Sequence, residues 1–201
     1  MLKSKDSYHH GDLRAALIKA GEAVLAETGV TGFSLRAVAK SVGVSHSAPA
    51  HHFGDAKGLL DALATEGFRR FLAAMEARQA AEPSKDPRQQ LLASGLGYLD
   101  FAISSPALFR LMFSTDKPEP KTSELAGAAK AAFMHLADSV ARLRGVSPFE
   151  APAAMTDVMA IWSMVHGFAD LYIAGRLGPP DGKPVADREA VLVEILDRAM
   201  T

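Results

Sequence analysis

Apolar residues recur at every third or fourth position along most of this chain, and that spacing is typical of amphipathic helices. Leu13, Leu17, Ala20 and Val24 define a first helix predicted over 11–28, with Gly29 as its stop. The same pattern predicts further helices at 34–43, 45–53, 55–79, 88–104, 106–114, 121–144, 149–177 and 187–200. The later ones are separated by proline- or glycine-bearing joints at 82–87, 106, 118–120, 145–148 and 178–184. The sequence shows no internal repeat and no strand-like alternation, so the predicted fold class is all-α, with about nine helices.

Two short helices between residues 34 and 53 have the parts of a helix-turn-helix. Ser34 is the expected N-cap of the first, Gly43 can adopt the positive φ of the turn, and Ser45 is the expected cap of the second. Four apolar residues of the first helix form one stripe for burial: Leu35, Val38, Ala39 and Val42. The segment alone also fits an ordinary helical hairpin, so the DNA-binding interpretation depends on the rest of the sequence.

The second helix of such a unit enters the major groove and offers its first residues to base edges. Histidine and serine exchange hydrogen bonds with bases or phosphates, and alanine contacts a thymine methyl group. Arg36 is the candidate for a bidentate guanine contact, and backbone amides at the two helix starts can hold phosphates. The predicted DNA-contacting residues are Ser34, Arg36, Ser45, His46, Ser47, Ala48, Ala50, His51 and Lys57.

Composition narrows the class of protein. With 48% hydrophobic and 22% charged residues among 201, the chain is expected to fold into one or two compact domains. It contains no cysteine, which excludes disulfides, thiolate zinc sites and thiol nucleophiles and fits a reducing cytoplasm. No apolar run approaches the roughly 18 residues of a membrane span, and the N-terminus lacks the apolar core of a signal peptide. We therefore expect a soluble, cytoplasmic protein without a membrane partner.

Charge is distributed unevenly along the chain. The net charge of −1 argues against a protein that coats nucleic acid non-specifically. Residues 1–60 nevertheless carry a balance of +2 and five of the seven histidines, and the remainder carries −3. A small excess of cationic and donor groups therefore accompanies the predicted helix-turn-helix.

Residues 8–63 resemble the tetracycline-repressor (TetR) family of bacterial one-component regulators. The matching segments are Tyr8-His9-His10-Gly11-Asp12-Leu13-Arg14, Gly29 to Phe33, Ser34 to Ser45, and His51-His52-Phe53-Gly54-Asp55. Ser45-His46-Ser47-Ala48-Pro49 followed by His-His-Phe resembles one branch, whose C-terminal half carries a Trp-x-x-x-His-Gly motif. That motif is present here as Trp162-Ser163-Met164-Val165-His166-Gly167.

The resemblance implies a three-helix DNA-binding domain over 1–55 and a ligand-binding and dimerisation domain over 56–201. It implies that Ser34, Arg36, His46, Ser47, Ala48, His51 and His52 face bases or phosphates. Two positions depart from the family pattern. Ala50 stands where a DNA-contacting tyrosine is usual, and Ala56 stands where a lysine or arginine is usual. We expect either a lower affinity or a phosphate contact made instead by Lys57.

Large, soft and aromatic side chains are concentrated over 98–168. Helical spacing explains most of them individually as core. As a set, with a few polar groups, they suit a pocket for an apolar or aromatic small molecule, and the family resemblance also implies an effector pocket. The predicted pocket residues are Tyr98, Phe101, Phe109, Met112, Phe113, Met134, His135, Met159, Trp162 and His166. His166 is either a buried structural histidine, which we favour, or a group that orients the ligand.

Small residues recur every seven positions in the predicted helix at 149–177, at Ala160, Gly167 and Ala174. Such a stripe allows close approach of another helix, either from a second copy or within the chain. The resemblance implies that this helix and the one at 187–200 form a four-helix bundle with a partner copy. A two-fold dimer predicts a palindromic double-stranded DNA operator, and we expect an effector to release repression by changing the half-site spacing.

Other classes of function have weaker support in the sequence. Gly43-Val44-Ser45-His46-Ser47 lacks the final glycine of a nucleophile elbow, and Gly95-Leu96-Gly97 follows no strand, so we expect neither catalytic residues nor a cofactor. The histidine pairs at 9–10 and 51–52 lack the i, i+4 spacing and the nearby carboxylates of a metal site. Ala50, Ala56 and the modest charge leave one alternative, a helical small-molecule binding protein that has lost DNA binding.

Overall fold

The computed structural model describes residues 6–113, 123–178 and 187–200, with the backbone alone for 6–12, 123 and 199. These ranges contain nine helices and no strand, which confirms the all-α prediction. The helices are α1 (Asp6–Thr28), α2 (Leu35–Val42), α3 (Ala48–Phe53), α4 (Ala56–Ala81), α5 (Pro87–Ser104), α6 (Pro106–Met112), α7 (Ser123–Arg144), α8 (Pro152–Ile173) and α9 (Arg188–Ala199). The predicted joint at 118–120 and residues 179–184 of the last joint lie outside the described residues.

Side-chain caps fix the starts of four helices, because the first amides of a helix have no partner within it. Ser34 accepts from an amide of α2 at 3.3 Å, as predicted, and Asp55 accepts from an amide of α4 at 2.8 Å. Asp86 and Asp187 cap α5 and α9 in the same way, at 2.9 and 3.0 Å.

The eighth helix is shorter than predicted at both ends. The apolar pattern predicts 149–177, but α8 runs from Pro152 to Ile173. Proline is favourable at the first helical position because its missing N–H has no partner there. At the other end Gly175 has φ +66, a left-handed conformation that stops the helix. The prediction was wrong at these ends because the apolar periodicity continues past Pro152 and Gly175, whose backbone conformations end the helix.

The described residues of Met1–Gly67 and Ala107–Ala126 form one compact unit. Its core takes apolar side chains from α1, α2, α4 and α6, including Leu17, Leu25, Val38, Leu59, Leu63 and Phe109. Gly21 brings α1 close to α4, because a Cβ placed there would lie 3.3 Å from Leu63. Helix α2 packs on both α1 and α3, so the two short helices are supported by a buried core.

The described residues of Phe68–Pro106 and Gly127–Thr201 form the second compact unit, in which α5, α8 and α9 pack against one another. Arg78 of α4 donates to both carboxylate oxygens of Asp100, at 2.6 and 3.0 Å, and to Glu189 of α9 at 2.9 Å. Arg88 at the start of α5 donates to Asp197 near the end of α9 at 2.7 Å. These charge-assisted bonds fix α9 against α4 and α5.

The close approach of α4 to α5 in this unit depends on Gly97. A Cβ placed there would lie 2.4 Å from the carbonyl oxygen of Ala74 and 2.6 Å from the Cα of Met75. Both neighbours are backbone, so they cannot rotate away. Gly97→Ala is expected to lower the free energy of unfolding by about 1–3 kcal/mol, less the gain of up to about 1 kcal/mol in helix propensity.

Urea unfolding followed by circular dichroism measures this change. Gly127 of α7 provides the matched control, because no atom of the described residues, apart from the neighbouring backbone, lies within 4 Å of a Cβ placed there. Gly127→Ala is expected to stabilise the protein by up to about 1 kcal/mol. A Gly97→Ala variant as stable as Gly127→Ala would contradict the close packing of α4 and α5.

No single helix in the described part of the chain is long and apolar enough to cross a bilayer. Helices α5 and α6 have the length and composition of a membrane span only when they are counted together as one bent pair.

Candidate functional site

Helices α2 and α3 are joined by a tight turn built on Gly43. This glycine has φ +74, as predicted for the turn, and its amide donates to Lys40 at 3.2 Å. The amide of Val44 donates back to the carbonyl of Ala39 at 3.1 Å. Val38 and Ala39 are buried, so the turn closes over the apolar stripe expected from the sequence. The helix-turn-helix therefore has its predicted turn and its predicted support.

The start of α3 differs from the prediction. Ser45 was expected to cap this helix, but the helix begins at Ala48, with Ser47 at the N-cap and no side-chain cap bond. Residues 45–48 form a turn, in which the amide of Ala48 donates to the carbonyl of Ser45 at 3.0 Å. Pro49 explains the shift, because proline is tolerated only within the first turn of a helix. A start at Ser45 would have placed that proline too deep.

The exposed side of this unit carries most of the predicted DNA-contacting side chains. Ser34, Arg36, Ser45, His46, Ser47 and His51 are exposed, and Ala48, Ala50, His52 and Lys57 are half-buried. The sequence from Gly29 to Gly54 contains no acidic residue, although it holds Arg36, Lys40 and three histidines. An exposed helical surface with cations, neutral donors and no carboxylate suits a polyanion.

Lys57 is placed less favourably than the others. Its ammonium group is shielded from water and has no hydrogen-bond partner among the described residues. It lies in the first turn of α4, directly before Gly58, where a Cβ would come within 1.9 Å of the carbonyl oxygen of Phe53. The glycine thus lets the start of α4 rest on the end of α3. Lys57 must rotate outward before it can reach a phosphate.

A hydrogen-bonded aromatic cluster lies in the second unit. The hydroxyl of Tyr98 on α5 is 2.7 Å from Nδ1 of His166 on α8, and Trp162 hydrogen-bonds the same hydroxyl. An indole N–H only donates, so the hydroxyl accepts from Trp162. Phe71 packs edge-on against Tyr98 at 4.6 Å between ring centres, and Phe133 lies 6.2 Å from Trp162. Trp162 and His166, one helical turn apart, therefore act on one tyrosine.

A second histidine meets α5 one turn earlier. Ser94 is buried, and its hydroxyl is 3.3 Å from Nε2 of His135 on α7. Burial lowers the pKa of both His135 and His166 below the ordinary 6.5, although nearby carboxylates oppose the shift. Burial also raises the pKa of Tyr98 well above 10, so that its hydroxyl keeps its proton. Both histidines are therefore neutral at pH 7.

The sequence pattern predicts Tyr98, His135 and His166 as pocket residues, but it does not predict their pairing and gives no role to Ser94. Two hydroxyl residues four positions apart in the otherwise apolar stretch 91–99 were the available signal, because that spacing places them on one face of α5. Which histidine each hydroxyl meets depends on how α5, α7 and α8 pack, and no local pattern encodes that.

The predicted pocket residues fall into both compact units. Tyr98, Phe101, Met134, His135, Met159, Trp162 and His166 belong to the second, and Phe109, Met112 and Phe113 belong to the first. Phe109 and Met112 are buried in the core, and the ring centre of Phe109 lies 5.1 Å from the ring centre of Phe113. Met159 is 41% exposed on α8 and is not part of the aromatic core. Among the described residues, no group of three histidine or acidic side chains is placed to hold a metal ion.

The neutral histidines predict that the protein is sensitive to acid. Because the folded chain binds their protons less readily than the unfolded chain, their contribution to stability is complete above pH 6.5 and is lost as the pH falls below it. Urea unfolding at pH 7.5, 6.5 and 5.5 measures this loss. A His135→Gln, His166→Gln double variant is expected to lose less stability than the wild type over this range. His46→Gln, at an exposed histidine, is the control, and equal losses in all three proteins would contradict the assignment.

One face of α8 is open, and Asp170 is its charged residue. Met159 and Leu171 are 41% and 42% exposed, and the small residues Ala160 and Gly167 lie on the same side. Among the described residues, no atom beyond the neighbouring backbone lies within 4 Å of a Cβ placed at Gly167. No helix of the described residues therefore packs closely on this glycine. The small residues leave a shallow surface, in the second unit, that no described part of the chain covers.

Two family profiles match this chain. Residues 17–63 match the bacterial regulatory proteins of the tetR family, and residues 91–198, more than half of the chain, match the tetracyclin repressor-like C-terminal domain. The chain belongs to the TetR family. The first match contains the whole helix-turn-helix, and the second contains α8 and the hydrogen-bonded residues Tyr98, Trp162 and His166.

Other proteins share part of the sequence or the fold. The HTH-type transcriptional regulator BetI of Burkholderia ambifaria is 35% identical over 96 residues, which are 47% of this chain and 49% of BetI. The chain thus spans about half the length of the curated relatives it matches. A solved Rhodococcus sp. protein of unknown function is 33% identical, with a TM-score of 0.75, over 98% of this chain and 97% of its own.

The TetR-family regulator PfmR of Thermus thermophilus has the same fold, with a TM-score of 0.64 and 20% identity over 92% of this chain and 96% of PfmR. At that identity the likeness concerns the fold alone. The arrangement of nine helices is therefore that of solved TetR-family proteins.

Proposed function

We propose that this TetR-family protein is a ligand-responsive repressor that binds a palindromic operator as a dimer and is released by a small apolar or aromatic effector. The observation that carries the proposal is the exposed, acid-free surface of α2 and α3 in the first unit. Ser34, Arg36, His46, Ser47 and His51 supply donors of the kind that bind phosphates and base edges. Membership of a family of bacterial regulators supports the same function.

A binding titration with DNA tests this proposal. The DNA lies upstream of the protein's own coding region, and an equally long scrambled duplex is the control. Specific binding with an affinity that falls steeply with salt is expected, because each neutralised phosphate releases counterions. Equal affinity for the two duplexes, or no binding to either, would refute DNA recognition by this chain.

The effector is proposed to bind the second unit near the Tyr98 cluster. Phe71, Tyr98, Phe133 and Trp162 offer aromatic surface, and the two histidines beside them are neutral at pH 7. Surroundings of this kind favour an uncharged ligand with aromatic or apolar bulk over an ion. His166 then has the structural role that the sequence favoured, because its Nδ1 is hydrogen-bonded to the Tyr98 hydroxyl.

A second copy of the chain is proposed to cover the open face of α8. The face combines exposed Met159 and Leu171 with the small residues Ala160 and Gly167, which admit a close helix. Helix α9 packs beside α8, so the two helices can supply half of a four-helix bundle. A two-fold dimer then presents two α3 helices to successive turns of DNA.

We also propose two finer assignments. The chain fits the branch of the TetR family with a Trp-x-x-x-His-Gly motif, in which Trp162 and His166 hold one tyrosine hydroxyl. Residues 1–55 act as the DNA-binding domain and 56–201 as the sensing and dimerising domain.

A second candidate function is that of a helical ligand-binding protein without operator binding. The buried ammonium group of Lys57, together with Ala50 and Ala56, favours this function. An effector that binds while specific DNA binding is absent would establish that second function.

A further inference from the structure

Arg14 of α1 lies against the end of the proposed reading helix. Its guanidinium carbon is 5.4 Å from the ring centre of Phe53, the last residue of α3, and both residues belong to the first unit. Arg14 is exposed and Phe53 is half-buried, so a planar cation covers one face of a ring at the protein surface. A cation in this position is attracted by the negative face of the ring.

Helix α3 needs such support because it is weak by itself. It has six residues, its N-cap Ser47 makes no side-chain cap bond, and so short a helix does not persist alone in water. Buried Pro49 anchors its first turn. At the other end the amide of Gly54 donates to Ala50 at 2.8 Å, and Phe53 is the large side chain. The orientation of α3 therefore depends on what holds Phe53.

The ring of Phe53 is also connected to the proposed DNA surface. It lies 6.2 Å from the ring of His52, which lies 5.9 Å from the ring of His51. His51 is exposed and belongs to the proposed DNA contacts. A shift of Phe53 would therefore be transmitted along consecutive residues to a side chain that faces the groove.

We propose that Arg14 is a positioning residue for the reading helix, which it holds through the face of Phe53 and not through a DNA phosphate. The proposal rests on the DNA-binding function proposed above. A contact of this kind at an exposed site corresponds to a change of about two- to five-fold in an equilibrium constant.

Operator affinity at several salt concentrations separates positioning from phosphate contact. Arg14→Gln is expected to weaken binding about two- to five-fold, with an unchanged slope of log affinity against log salt. Phe53→Leu keeps the apolar bulk but removes the ring face, and it should cause a similar loss. The double variant should be no weaker than the worse single variant, and Arg14→Lys should retain part of the affinity, because an ammonium also attracts the ring. Lys19→Gln removes another exposed cation of α1 and should leave affinity nearly unchanged.

A slope that falls by about 0.9 in Arg14→Gln, with additive losses in the double variant, would overturn the proposal and assign Arg14 to a phosphate. Hydrogen exchange of the free protein gives a result independent of DNA. Arg14→Gln should speed exchange at the amides of His51 and Gly54 and leave the amides of α2 unchanged. Unchanged exchange at the amides of His51 and Gly54 would overturn the positioning role. Absence of operator binding by the wild type would instead refute the proposed function, with the exchange result still deciding how α3 is held.

Discussion

Replacement of Arg36 by alanine is expected to weaken operator binding by about 1–3 kcal/mol, or about 5- to 150-fold. Arg36 is exposed near the start of α2, whose first turn is fixed by the cap at Ser34. A guanidinium held there can donate two parallel hydrogen bonds to a guanine, so its removal costs both affinity and discrimination. Fluorescence anisotropy with the upstream duplex and the scrambled duplex measures both losses.

Two further variants test whether the loss comes from the bidentate contact of Arg36 and not from the removal of any exposed arginine. Arg36→Lys keeps the charge but not the bidentate geometry, and it should retain non-specific affinity while losing discrimination between the duplexes. Arg69, an exposed arginine of α4 in the second unit, provides the matched control, and Arg69→Ala should bind like the wild type. Wild-type affinity and discrimination in Arg36→Ala would show that α2 does not read the operator.

Replacement of Gly167 by arginine is expected to abolish the proposed dimer and leave a monomer. The open surface around Gly167 has room for an arginine within one copy but not between two closely packed helices. Arginine also has a higher helix propensity than glycine, so α8 itself should remain folded. Because a palindrome is bound by two linked reading helices, loss of the dimer should lower operator affinity by about 10²- to 10⁴-fold.

Analytical ultracentrifugation gives the oligomeric state, and circular dichroism checks the fold. Gly127→Arg on α7 is the matched control, since Gly127 is also a helical glycine with open space around it. That variant should remain dimeric and bind the operator normally. A dimeric Gly167→Arg protein would place the interface on another surface.

Local chemistry made much of the fold predictable. The cap at Ser34 and the positive φ of Gly43 each depend on residues close in sequence, and the structure has them as expected. The start of α3 was mispredicted because Pro49 limits where a helix can begin, a steric effect that apolar periodicity does not register. The predicted ends of α8 were wrong for a similar reason, because Pro152 and Gly175 limit where the helix begins and ends.

The candidate sites were less predictable, because their geometry arises between helices. The sequence singled out Tyr98 and His166, but their hydrogen bond joins residues on α5 and α8. The position of Arg14 over Phe53 likewise depends on how α1 packs near α3. Residue type identified candidates for chemistry, whereas the tertiary structure determined their partners.

The operator is expected to contact α2 and α3. Hydrogen exchange measured with the upstream duplex and with the scrambled duplex tests this contact, because it locates the DNA on the chain. Exchange over residues 34–53 should slow with the upstream duplex only. Unchanged exchange over those residues, with protection appearing in the second unit, would contradict it.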